Sequence, residues 1–318
     1  MADIVLGVGT SHSPQLNIPV DQWDLLVRKD EEDPALNYSE LLARAPAGIA
    51  ERITPQARGG AMERAQVAIR SLAAALETAR PDVVLVIGDD QHELFSATYQ
   101  PMFCIFAGPS TISRRPFRPN APAWLQVELA TEPVEPISHP GHPELALYLI
   151  DAVIAEGFDV AVSLQWPPDI GLGHAFSFLY RRLTPRADLP MVPVMVNTFY
   201  PPNQPSPARC LAFGRALGKA LRRWPSSTRV AVVASGGLSH VALDEDLDHS
   251  VLRALETHDE DALCRLPEQA LVQGTSEIRN WLVAAGMFND RRFRLVDYVP
   301  AYRSPAATGT GFAFALWE

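Results

Sequence analysis

The chain has 318 residues, 47% of them hydrophobic, and carries a formal net charge of −10. That length can bury a large core, as one big α/β domain or two smaller ones, and no apolar run approaches the ~18–20 residues that span a bilayer. An acidic chain with no block of Lys and Arg lacks the charge that phosphate contacts demand, so neither a membrane nor a nucleic acid is an expected partner.

Ile4–Val8 (IVLGV) reads as a first strand, followed by Gly9-Thr10-Ser11-His12. The acid at position 3 and the lack of a basic n-region do not fit a signal peptide. The cysteines Cys104, Cys210 and Cys264 are isolated, which suits a reducing compartment, so a cytoplasmic location is expected. Residues 21–60 are polar and mixed, with helical patches at Tyr38–Ala45 and Ala47–Arg52, and predict a helical excursion that could form a lid. Glu63–Ala79 has helical apolar spacing. Pro81-Asp82 then breaks the helix, and Val83–Ile87 (VVLVI) is a buried strand ending in Gly88-Asp89-Asp90-Gln91-His92-Glu93, with Phe95 behind it.

The proline-rich stretch 99–140 reads as a long ordered loop. His139 and His142 lie three apart, but Pro140 and Pro143 leave no continuous helical face to aim both at one ion. A helix is predicted over Glu144–Glu156, a strand over Phe158–Ser163 and a loop over Gln165–Ile170. Gly171-Leu172-Gly173-His174 leads into a predicted helix at Ala175–Arg182, near whose N-terminus the dipole favours a neutral imidazole or a nearby anion.

Met191–Val196 reads as a strand with the exit loop Asn197–Pro205, and Pro207–Arg223 as a helix. Val230–Ser235 is apolar enough to be buried on both faces, Gly236-Gly237 turn the chain, and His240 follows. Asp244–Leu263 is helical and acidic, with His249 and His258 on its solvated face. A last helix is predicted over Thr275–Ala285, with Glu277 in its first turn, where Thr275 as N-cap also explains an acid. The tail holds Tyr302-Arg303-Ser304-Pro305 and a glycine-rich terminal strand, TGTGFAFALW.

One arrangement recurs: an apolar strand, small or polar residues, then a histidine at the exit, at His12, His92 and His240. Exits of parallel strands share one rim, where open α/β sheets place ligands. A P-loop, Gly-x-Ser-x-Gly and His-Glu-x-x-His are all absent. Two imidazoles and a carboxylate form the facial triad of non-haem Fe(II) oxygenases, although zinc hydrolases use the same donor types. Other histidines on the rim would serve proton transfer near neutral pH.

The segments GTSH, DDQH, Gly173-His174-Ala175-Phe176, Asn197–Pro205 and SGGLSH together resemble the class III extradiol ring-cleavage dioxygenases, related to the protocatechuate 4,5-dioxygenase catalytic subunit. The resemblance implies His12, His92 and Glu277 as Fe(II) ligands and His240 and His174 as catalytic histidines. It departs from the family at the second ligand. Members often read Asn-Asp-His with a phenylalanine four residues on, whereas here Gln91 intervenes and Phe95 lies three beyond His92, so Glu93 or Asp90 could be involved. Gln22-Trp23-Asp24, the DDQHE run and Tyr302–Pro305 look most like the gallate and 3-O-methylgallate branch, with Asn197, Tyr200 and Arg303 as substrate-binding candidates.

The expected protein is therefore a single α/β domain over residues 1–318, with a mixed, mostly parallel central sheet flanked by helices and a site at the strand C-terminal ends. Its expected partners are a small aromatic acid and O2, and its expected assembly is a homodimer. A zinc-dependent hydrolase or a metal-free binding protein on the same fold is the alternative.

Overall fold

The computed structural model describes residues 1–167 and 169–318. Its strands are β1 (Asp3–Thr10), β2 (Val83–Asp89), β3 (Phe103–Phe106), β4 (Ser110–Ser113), β5 (Ile137–Pro140), β6 (Ala161–Ser163), β7 (Met191–Val196), β8 (Arg229–Ser235), β9 (His240–Ala242), β10 (Phe293–Tyr302) and β11 (Thr308–Trp317). Nine of them form one sheet in the order β10-β11-β1-β8-β2-β7-β3-β6, with β9 paired to β11, while β4 and β5 make a separate two-stranded sheet. The central strands β1, β8, β2 and β7 run parallel. β11 is antiparallel to β1 and β3 is antiparallel to β7, so the sheet is mixed, with its parallel part in the middle.

The helices are α1 (Asp24–Glu32), α2 (Tyr38–Arg44), α3 (Ile49–Arg52), α4 (Pro55–Ala79), α5 (Ala123–Leu129), α6 (Pro143–Ala155), α7 (His174–Phe178), α8 (Pro207–Arg223), α9 (Glu245–Glu256), α10 (Glu260–Cys264) and α11 (Ile278–Met287). They cover both faces of the sheet. Val83, Leu85 and Ile87 of β2 pack with α6, α8 and α11, whereas Val84 and Val86 pack with α4 and α7. Residues alternating along a strand point to opposite faces, and since both faces are dry the strands are apolar throughout.

Two capping devices set the long helices. Thr54 accepts a hydrogen bond from the Ala57 N–H with Pro55 at the first helical position of α4, and Ser206 does the same for Arg209 ahead of Pro207 in α8. α8 meets α11 with almost no spacing, because a Cβ on Gly214 would stand 1.9 Å from the Val283 carbonyl oxygen. This contact pins α11 across the sheet and so fixes where Glu277, the residue just before it, can lie.

Several elements differ from the expectations. The 99–140 stretch contains β3, buried within the main sheet, together with β4, β5 and α5. α4 begins eight residues before the expected Glu63, at Pro55, because the Thr54 cap allows it. The predicted Ala175–Arg182 helix is a short α7 followed by a π-turn at Leu179–Leu183, and the predicted Asp244–Leu263 helix is interrupted at His258, whose φ is 53°. Thr275–Glu277 belong to a 3-10 turn that precedes α11. The expected loop Gln165–Ile170 lies partly outside the described residues.

Candidate metal centre

The carboxyl ends of β1 and β2, the start of α7 and the 3-10 turn before α11 bring His12, Asp89, His174 and Glu277 together, with one donor atom from each lying within 4.8 Å of all the others. Donors about 2 Å from a common ion stand up to about 4 Å apart, so a modest contraction would let this group close on a cation. Nitrogen and carboxylate donors of this kind suit Fe(II), Zn(II) or Mn(II).

The protonation pattern is built into the hydrogen bonds. The Ser235 hydroxyl donates its single hydrogen to the Ala175 carbonyl at 2.6 Å, so toward His12 Nδ1, 3.0 Å away, it acts as acceptor. His12 is thereby held with a hydrogen on Nδ1 and with Nε2 turned into the site. That Nε2 is buried with no hydrogen-bond partner, 3.4 Å from Glu277 Oε2 and 3.9 Å from Asp89 Oδ1. His174 Nδ1 donates to Glu93 Oε1 at 2.9 Å, and His240 Nδ1 to the Leu238 carbonyl at 2.8 Å. In all three rings Nδ1 is spent on the protein and Nε2 is left for the site. A carboxylate or carbonyl behind an imidazole is the usual means of orienting a metal ligand.

The electrostatics sharpen these roles. Burial would raise the Glu277 carboxyl, but the facing His12 and His240 rings and the Gly237 N–H, which donates to Oε2 at 2.7 Å, hold it well below the usual carboxylate range. Asp89 moves the other way, raised by burial and by the charge of Glu277. Its oxygens accept from Asn280 Nδ2 and Gln91 Nε2, and the Gln91 amide also reaches Glu277 Oε1 at 3.3 Å. Burial opposes the charge on Glu93, but His174 outweighs it and the carboxyl falls to about 2. In return Glu93 lifts His174 well above the ordinary imidazole value against the effect of burial. Burial lowers His240, only partly offset by Glu277. Its Nε2 is also buried without a partner, 3.6 Å from Glu277 Oε2.

A family comparison bears directly on this site. Residues 45–313 match the model of the catalytic LigB subunit of aromatic ring-opening dioxygenase. The chain belongs to this family. Three relatives are named 2,3-dihydroxyphenylpropionate/2,3-dihydroxicinnamic acid 1,2-dioxygenase. That of Comamonas testosteroni is 28% identical over 64% of this chain and 54% of its own length. That of Burkholderia vietnamiensis is 31% identical over 62% and 50%, and that of Mycolicibacterium paratuberculosis 29% identical over 72% and 55%. The chain spans about half the length of the curated relatives it matches. His12 lies ahead of the stretch matched by the LigB model, so its place in the centre rests on geometry.

The residues singled out from sequence fall into two sets in this LigB-family chain. His12, His174, His240 and Glu277 converge. His92 does not join them. It is exposed, adopts a left-handed φ of 59°, and stacks on the Tyr200 ring at 3.7 Å. The turn after β2 therefore directs Asp89 and Gln91 inward and His92 outward. Asn197 is used in its own loop, donating to the Tyr200 and Asn203 carbonyls and accepting from the Tyr200 N–H. Its neighbour Phe199, not Tyr200, lines the cavity beside the centre. Arg303 is largely committed: its guanidinium makes two bonds to the Asp30 carboxylate and one to Gln15 Oε1, at the edge of the same cavity. Thr275 caps no helix; its hydroxyl accepts from the His240 N–H instead.

His139 and His142 hold structure, the first bonded to Ala187 O and Ser113 Oγ and stacked on Tyr180, the second capping α6. Missed from sequence were Asp89, Gln91 and Ser235, while Glu93, expected as an alternative at the second ligand, instead bonds the His174 N–H and Nδ1. Each sits in a strand-exit segment already marked as special, and a buried acid beside a predicted ligand was the available signal.

Proposed function

We propose that this chain is an extradiol dioxygenase that opens the ring of a catecholic aromatic acid with O2, using Fe(II) held by His12, His174 and Glu277 with Asp89 alongside. The observation that carries the reading is His12 Nε2: a buried nitrogen with no hydrogen-bond partner and two carboxylates within 4 Å. When bound, a ferrous ion would orient the two reactants and pass charge between them. The family match and the dioxygenase names of the relatives support ring opening over the hydrolase alternative.

The protein's own groups account for binding and proton transfer. His240, beside Glu277 and lowered by burial, takes a proton from a catechol hydroxyl as the substrate binds, and returns it as the ring opens. Glu93 holds the His174 ring in place. Leu26, Trp124 and Phe199 give the cavity apolar walls against which a flat ring excludes water. Leu26 belongs to α1, so the helical excursion at residues 21–60 contributes to the cover of the site. Gallate, 3-O-methylgallate and protocatechuate are the substrates to test first, alongside the 2,3-dihydroxyphenyl acids for which the relatives are named. A cytoplasmic homodimer completes the proposal, checked by light scattering.

The test is oxygen uptake by anaerobically purified, Fe(II)-loaded protein offered this panel. Uptake matched by a yellow ring-opened product is the expected result. Silence across the panel, or hydrolytic turnover with zinc at full occupancy, would overturn the assignment.

A further inference from the structure

The cavity beside the centre has a volume of about 420 Å³, and its lining joins His174, His240 and Glu277 to residues of α1 and α5. That volume suits one substituted aromatic ring. Its lining contains two basic side chains, Lys29 and Arg303, and they are not equivalent. Arg303 is neutralised by the buried Asp30 in a two-point pair. Lys29 sits next in sequence to Asp30, yet its Nζ stands 3.9 Å from Asp30 Oδ1, beyond hydrogen-bond length, and that carboxylate is already held by the guanidinium. Asp33 also lines the cavity, but its Oδ1 accepts from the Ala35 N–H.

Asp30 and Asp33 balance the charges of Lys29 and Arg303, but among the described residues the Lys29 ammonium has no hydrogen-bond partner, so its donors are left to the cavity. The side chain is 31% exposed and passes 5.7 Å from the centroid of the Trp124 ring, an apolar wall that steers the ammonium without satisfying its donors. Burial and the nearby Arg303 both press the Lys29 ammonium toward its neutral form, against the pull of Asp30 and Asp33. An arriving anion relieves that pressure.

We propose that Lys29, carried on α1, binds the anionic substituent of the aromatic substrate and makes the site select catecholic acids over neutral catechols. This rests on the ring-opening reading above and assigns the specificity to a residue of the covering helix. The same bond would hold α1 down over a bound acid and leave it less constrained over a neutral ring.

Anaerobic calorimetric titration of the Fe(II)-loaded protein with protocatechuate and with unsubstituted catechol tests it, comparing the native chain with Lys29→Met and Lys29→Arg. A charge-assisted hydrogen bond is worth enough that Lys29→Met should weaken protocatechuate on the order of 10-fold or more. Catechol binding should change less than about twofold, and Lys29→Arg should keep most of the discrimination, since only the cation is required. Equal loss for both ligands, or no loss for either, overturns the Lys29 assignment while leaving ring opening intact. If the native protein binds neither ligand, both readings fall.

Discussion

His12 and Ser235 are joined by a 3.0 Å bond whose direction is forced, because the serine has already given its only hydrogen to the Ala175 carbonyl. The consequence is a histidine whose reactive nitrogen is set before any ion arrives.

Ser235→Ala removes that acceptor and frees the ring to turn or to carry its hydrogen on Nε2. Metal affinity should fall about 10–100-fold, as for other partners that orient a metal-bound histidine. Chelator competition reads this directly, with circular dichroism unchanged. An affinity equal to that of the native protein would show that Ser235 does not set the ring.

Replacing His92 and His174 separates a ring turned away from the centre from one turned into it. His92→Ala should leave metal stoichiometry unaltered, since that ring is exposed and stacked on Tyr200. His174→Ala and Glu277→Gln should each lower bound iron severely. Elemental analysis of the purified variants is the measurement, and iron lost from His92→Ala would restore that residue to the centre.

Arg303→Met tests whether the arginine serves structure or substrate. Removing one partner of a buried ion pair typically costs about 3–5 kcal/mol, because Asp30 would be left charged and fully buried. A shifted urea midpoint is expected even without substrate. Unchanged stability with a raised KM would instead return Arg303 to the substrate.

Asp248 supplies a pH dependence. Burial raises its carboxyl from 3.8 to about 6, although Tyr298 and Ser239 both donate to it. The folded value lies above the unfolded one, so its contribution is fully present below 3.8 and is lost as pH rises through about 6. Asp248→Asn carries no such titration. The stability of the native chain relative to this variant should therefore decline between pH 4 and 6.5, by up to about 3 kcal/mol for two pKa units. Urea denaturation at three pH values checks it, and a flat difference would disprove the titration.

Much of this protein was legible in its residues. β7 and α8 occupy the predicted spans, Met191–Val196 and Pro207–Arg223, because an apolar run between breakers and an amphipathic repeat after a Ser-Pro cap are decided by near neighbours. The recurrence of polar residues at strand exits located the rim, since parallel strands expose their carboxyl ends on one side. β3 escaped notice because its four apolar residues, Phe103–Phe106, are embedded among prolines and too short to show a period.

What only the tertiary structure decided is where side chains turn once a strand has ended. His92 and Asp89 lie three residues apart, and the left-handed backbone at His92 sends one to solvent and leaves the other in the centre. Arg303 meets an acid 273 positions away, which no local pattern encodes. Glu277 reaches His12 because glycines in two helices let α8 and α11 close together beneath it. Periodicity is local physics and survives in the sequence, whereas the direction of a side chain at a loop, and the partner it spends its hydrogen bonds on, are set by contacts made only after the chain has folded.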